Sequence, residues 1–276
     1  MPTAGNAPNL PDKENTVGSP RVAALYHITD RVSAWGDISW GFRAPTLNEL
    51  YRQFRVGTVL TLANETLGPE RLKGGELGIR IEPFKNLAIR STWFDNRVKD
   101  PVSNVTISTA GANVTQQRQN LGRTRIRGIQ SDLEYTVASF WRISAGYLYN
   151  QAKVTEFGRN PILVGKLLPQ VPKHRGSVQV AYSNPRLANI GIGLQFFGRQ
   201  FDDDQNVRVV PGESEPGLPG YTMVDLTASR SINRNFDVFV GLQNLFDKEY
   251  IVSTLPTTIG APRLVHGGVR VRFAGR

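Results

Sequence analysis

The sequence contains no cysteine, which excludes disulfides, thiolate metal sites and cysteine nucleophiles. It also lacks any apolar run near the roughly 18 residues that a membrane-crossing helix needs. Apolar residues make up only 39% of the chain and mean hydropathy is −0.29. Helical spans are thereby excluded. A transmembrane β-barrel is not, because only alternate residues of its strands face lipid. Residues 1–20, rich in Pro, Asn and Gly, hold no basic stretch followed by an apolar one, so no signal peptide is read there. The three histidines, His27, His174 and His266, lie too far apart for a metal motif. Gly191, Gly193 and Gly198 do not fit a dinucleotide fingerprint, and nothing resembles a nucleophile–base pair. No enzyme, cofactor or bound metal is expected.

What is present is positive charge and alternation. The net charge is +10 and the isoelectric point about 10.1. The Arg and Lys residues are spread along the chain and not clustered, which argues against nucleic acid as a partner. Apolar and polar residues alternate from Arg21 to Phe273, and the joints between alternating segments take turns in length. Short joints fall at 30–31, 83–86, 138–140, 184–186 and 232–235. Long polar stretches lie near 43–69, 98–117, 154–171, 201–219 and 248–262. A sheet with short loops at one rim and long loops at the other is the plan of an outer-membrane barrel.

Eleven strands are expected, joined as an antiparallel up-and-down meander. Val178, Val180, Tyr182, Ile190, Ile192, Leu194, Val224, Leu226 and Val269 share a face expected to meet lipid. Glu134, Asp225, Gln243 and Arg270 share the face expected to line a lumen. Several strands reach the 9–11 residues that a tilted membrane strand requires. Aromatics near strand ends (Trp40, Trp93, Trp141, Tyr149, Tyr182, Tyr221, Phe273) suit an interfacial girdle. A soluble β-sandwich would also alternate, and stands as the second architecture.

Several strings resemble the C-terminal barrel half of TonB-dependent outer-membrane receptors. They are GFRAPTLNELY at 41–51, LGPE at 67–70, NLGR at 120–123 running on to Gly128 and Ile129, PQVPKHR at 169–175, NLFDKEY at 244–250, and GAPR at 260–263. The resemblance implies an all-β fold: half of a roughly 22-stranded transmembrane barrel, with the plug and the first barrel half absent. Residues 1–18 are then an irregular segment and 19–276 the barrel portion. The family ends on an aromatic residue, whereas Ala274, Gly275 and Arg276 follow Phe273 here. Half a barrel leaves two strand edges uncovered, so a piece of a longer precursor is expected.

The function implied is uptake of a ferric siderophore, a cobalamin or a similar scarce nutrient across the cell outer membrane. The implied partners are outer-membrane lipid, the barrel-assembly machinery, the nutrient chelate, and TonB through the missing plug. A passive pore or scaffold, or a nonfunctional remnant of a receptor gene, are the alternatives. Two groups are candidate substrate contacts on long loops. Arg43, Tyr51, Arg52 and Arg55 would offer guanidinium and aromatic contacts to an anionic chelate. Asp202, Asp203 and Asp204 form the densest acidic cluster. With Asn206 and Glu213 they nearly fit a calcium loop, but Val207 stands where the sharp turn needs glycine.

Overall fold

The computed structural model describes residues 14–273. Of the expected irregular segment 1–18, residues 1–13 lie outside that range and 14–18 carry no regular element; 274–276 also lie outside. The chain opens with β1 (Arg21–Thr29) and β2 (Val32–Arg43), then a short helix α1 (Leu47–Tyr51), β3 (Phe54–Val56) and β4 (Val59–Leu62). It continues through β5 (Glu70–Phe84), β6 (Leu87–Lys99), β7 (Val102–Ala110), β8 (Asn113–Asn120), β9 (Arg123–Ala138) and β10 (Trp141–Glu156). After a 3-10 turn at Pro161–Leu163 come β11 (His174–Asn184), β12 (Ala188–Phe197), β13 (Tyr221–Ser231) and β14 (Phe236–Gln243). The small β15 (Ile251–Thr254) and β16 (Thr257–Ile259) precede β17 (Leu264–Val271).

One sheet of eleven strands forms a wall, in the order β1-β2-β5-β6-β9-β10-β11-β12-β13-β14-β17. Every pair in it is antiparallel, and each strand neighbours the next wall strand along the chain. These are the eleven strands that alternation predicts. All five short joints are hairpin turns, and side chains close several of them. Asn233 Oδ1 accepts from the backbone N–H groups of Asn235 (2.9 Å) and Phe236 (3.0 Å). Asn184 Oδ1 accepts from Arg186 N–H at 3.0 Å. Among the described residues the sheet is open: β1 pairs only with β2, and β17 only with β14.

Register sorts the two faces. Residues opposite one another on neighbouring antiparallel strands share a face, so Val180, Ile192, Leu226, Leu242 and Val265 form one continuous apolar row. Polar residues fill the other face, where a trough of about 600 Å³ is lined by Gln130, Asp132, Gln179, Gln195 and Asp225 among others. The sandwich is corrected by the apolar face itself. Val22, Leu77, Ile192, Val265 and Val269 are exposed on it with no second layer against them, whereas a sandwich would bury that face against another sheet.

The long stretches differ from the reading as plain loops. Those at 43–69 and 98–117 fold into a second sheet, ordered β3-β4-β8-β7, and 248–262 holds the β15–β16 hairpin. In the second sheet β4 and β8 run parallel, Leu60 facing Thr115. Here tertiary contact sets the pairing, and the strands are too short for a legible period. Together with α1, the 3-10 turn and 201–219, these pieces form a cap at the long-loop rim. The buried apolar cluster of the described residues lies in it: Val105, Leu121, Phe157 and Leu163 pack on Val154 of β10, with Leu168 alongside.

Candidate functional site

The cap is bolted to the wall by the strings that stood out in the sequence. Thr46 caps α1: its hydroxyl accepts from Glu49 N–H (3.3 Å), and the Glu49 carboxylate accepts from Thr46 N–H (2.7 Å). Arg43, at the end of β2, donates to Glu49 Oε2 (2.9 Å) and to Glu70 Oε1 (2.5 Å). Glu70 Oε1 also accepts from Val102 N–H at 2.8 Å, which sets the start of β7. Asn120 joins LGPE to NLGR: its Oδ1 accepts from Gly68 N–H (2.8 Å) and its Nδ2 donates to Gly68 O (3.0 Å). In NLFDKEY, Asn244 Oδ1 accepts from Lys248 N–H (2.8 Å), and its Nδ2 donates to Lys248 O and Ala261 O (3.0 and 3.1 Å).

Burial raises the Glu49 carboxyl pKa, but hydrogen bonds from Arg43 and Thr46 outweigh that and hold it below the usual value. The helix therefore docks through a carboxylate that is ionised at neutral pH.

Inside the cap lies a cavity of about 520 Å³. Its walls come from α1 (Glu49), the β7–β8 hairpin (Asn104, Gln116, Arg118), Gln170, the 201–219 segment (Asp202, Asp204) and the start of the β15–β16 turn (Ser253, Leu255). Its lining is polar and mostly uncharged, with three carboxylates and one guanidinium. Arg118 is committed to structure: it donates to Asn48 O and to Arg52 O (2.9 Å), and its guanidinium lies over the Phe54 ring at 5.3 Å.

The three aspartates are buried, and each has a separate task. Asp202 Oδ2 accepts from the N–H and hydroxyl of Thr254. Asp204 accepts from Thr106 N–H (2.9 Å) and Thr106 Oγ1 (2.7 Å). Asp203 turns its own loop, accepting from the N–H groups of Gln205, Val207 and Arg208. The cluster thus ties three cap segments together, and the near-calcium-loop reading is replaced by hydrogen bonding. No group of three or more potential metal ligands occurs among the described residues. Asp202 Oδ1 is buried with no hydrogen-bond partner among the described residues.

The arginine group is dispersed by comparison. Arg43 is held by its two carboxylates, Tyr51 is half-buried at the end of α1, and Arg52 and Arg55 are exposed beyond it. Of the sequence-predicted residues, only Asp202 and Asp204 line the cavity. Glu49, Asn104, Gln116, Arg118, Gln170 and Ser253 were missed. The signal for three of them, Asn104, Gln116 and Arg118, was a hairpin at 102–120, turning at Gly111 with its positive φ of 59°, that a polar run concealed.

The family described as TonB dependent receptor-like, beta-barrel matches residues 2–245. An iron-regulated outer membrane virulence protein of Vibrio cholerae is 25% identical over 244 residues, covering 84% of this chain and 36% of that protein. The metal-pseudopaline receptor CntO of Pseudomonas aeruginosa is 25% identical over 237 residues, covering 84% and 30%. Among solved structures, the ferric-catecholate import receptor Fiu of Escherichia coli K12 superposes with a TM-score of 0.69 at 20% identity, over 92% of this chain and 34% of that one. The chain thus spans about a third of the length of the curated relatives it matches.

Proposed function

The chain belongs to the TonB-dependent receptor β-barrel family, and from that premise we propose that it forms part of the wall and cap of an outer-membrane importer. Its cargo is a ferric siderophore, a cobalamin or a similar scarce nutrient. The apolar face of the eleven-stranded sheet meets lipid and the polar face lines the lumen. The cap cavity receives the cargo, with Asp202 and Asp204 accepting hydrogen bonds from it and Arg52 and Arg55 meeting its anionic groups at the outer margin. Glu49, Gln116 and Gln170 complete the polar lining. TonB, acting through a plug domain, and the barrel-assembly machinery are the protein partners this reading implies.

One observation carries the proposal: a meander with one largely apolar face rises into a polar cavity on its other side. That arrangement suits capture above a lumen. The relatives support the cargo class, since one is named iron-regulated and two are named as receptors for metal chelates.

Uptake of radiolabelled chelates by cells carrying or lacking the gene tests this. Loss of the gene is expected to abolish uptake of at least one ferric or cobalt nutrient, and a protonophore to do the same in wild-type cells. Uptake that survives the protonophore would point to a passive pore. No change across the panel would point to a remnant.

A further inference from the structure

Most polar side chains around the cap cavity are bonded within the cap itself, and the groups left over define what the cavity can receive. Asp202 Oδ1 is buried with no partner among the described residues, although Oδ2 of the same carboxylate accepts from both the N–H and the hydroxyl of Thr254. Gln116 lines the cavity at only 6% exposure, and its amide makes no hydrogen bond among the described residues. It stands opposite Thr106 in the β7–β8 register, so the two share a face. Asp204 is fastened to that same Thr106 by two bonds, which leave lone pairs on its carboxylate. Asp202 Oδ1, the Asp204 carboxylate and Gln116 Oε1 therefore border one cavity of about 520 Å³, an ordinary size for a small-ligand site.

The charges around these acceptors do not balance. Glu49 is answered by Arg43 at 2.9 Å. Arg118 is the guanidinium of the lining, and the carbonyls of Asn48 and Arg52 hold it. Arg208 joins the loop through its backbone N–H to Asp203 and does not line the cavity. No cation among the described residues forms an ion pair with Asp202 or Asp204. With Arg118 set against one of these aspartates, the other stays uncompensated. A buried carboxylate without an opposite charge is unfavourable, and so is a buried acceptor without a donor. Water could donate to Asp202 Oδ1 but would leave the charge unanswered, whereas a cationic donor supplies both.

We infer that the cavity receives a protonated primary amine carried on the cargo. An ammonium is a compact charge with three donors, one for each of Asp202 Oδ1, Asp204 and Gln116 Oε1. The inference rests on the cavity being the place where cargo is captured, and it narrows that cargo to a chelate with an amine-bearing arm. Arg52 and Arg55 lie outside the lining, so anionic groups of the same molecule stay at the margin while the amine enters.

The test is equilibrium dialysis of the protein, extracted from its membrane in mild detergent, against two ferric linear trihydroxamates. One ends in a primary amine and the other carries the same amine acetylated. The free amine is expected to bind about tenfold or more tightly than its acetylated counterpart. Asp202→Asn keeps the side chain's shape and should bring the two chelates within about twofold of each other. Gln116→Glu, at a side chain with no bond to lose, should widen the gap. Opposite shifts in the two variants cannot come from a cap that fails to fold, and limited proteolysis checks the cap directly. Equal binding of the two chelates, no binding of the amine, or an unchanged preference in Asp202→Asn would overturn the inference. Binding of both chelates only when calcium is present would make this a divalent-ion site and overturn it too. Protonophore-sensitive uptake of amine-free chelates alone would sink the inference and leave the transport proposal standing. An amine preference in dialysis without any such uptake would count against the transport proposal alone.

Discussion

The wall and the cap are stabilised in different ways. The wall is two-dimensional: backbone ladders join its strands, and its side chains are sorted between two surroundings instead of being packed into an interior. Apolar residues such as Ile192 and Val265 remain exposed on it. The cap is a miniature globular unit, in which Leu163 and Leu218 are almost wholly buried and aspartates hold separate segments together. A sheet that faces lipid needs no core of its own, whereas irregular chain at its rim must build one or fray. The sharpest way to break this comparison is a cavity in the cap. Leu163→Ala is expected to cost about 2–5 kcal/mol of local stability, because the site is fully packed. Limited proteolysis should then cut within 154–171 while the wall strands stay resistant. Equal sensitivity of wall and cap would mean that the two form one cooperative unit.

The wall's counterpart is a charge on the apolar face. Leu226 lies mid-strand between Ile192 and Leu242, and its neighbour Thr227 points to the polar face beside Gly191 and Gly241. In the membrane-inserted receptor, Leu226→Arg is expected to cost about 2–4 kcal/mol if it lies near the bilayer midplane, and Thr227→Arg far less. Urea unfolding in lipid vesicles measures both. A larger penalty at Thr227 would reverse the two faces, and equal penalties would remove the wall from the membrane.

That contrast also explains how much was legible in advance. The wall could be read because its period of two is imposed by a change of surroundings across each strand. Residues from Ile190 to Leu194, or from Val224 to Ala228, alternate without help from distant contacts. Hairpin turns such as Asn233 to Phe236 close through local side-chain bonds, so the joints were legible too. The cap was not. The parallel pairing of β4 with β8 joins residues more than fifty positions apart, Leu60 with Thr115, and no local pattern encodes it. The strings that pointed to the family turned out to be its bolts: Arg43, Glu49, Glu70, Asn120 and Asn244 make structural bonds. The cavity lining falls largely between those strings. Asp202 and Asp204 were noticed for their charge density, yet their partners Thr254 and Thr106 lie about fifty and one hundred residues away.

The smallest expected effect falls where wall meets cap. Glu49 is the shared partner of Thr46 and Arg43, so α1 docks through one carboxylate. Thr46→Ala removes a helix cap and is expected to cost about 0.5–2 kcal/mol. The carboxyl's pKa in the folded protein lies below its ordinary value of 4.5. The unfolded chain therefore binds its proton first as pH falls, and folding is favoured by the ionised form. This contribution is complete above about pH 4.5 and declines as pH falls toward the lowered folded value. Pepsin cleavage at Leu50–Tyr51 should accordingly accelerate as acidity rises, beyond the enzyme's own pH dependence on an unfolded control peptide. In Glu49→Gln the cleavage should be faster at every pH and follow the control peptide. If Glu49→Gln kept the wild-type profile, the titrating group would lie elsewhere. If cleavage spread to β5 or β6 in the same pH window, the wall would be opening together with the cap.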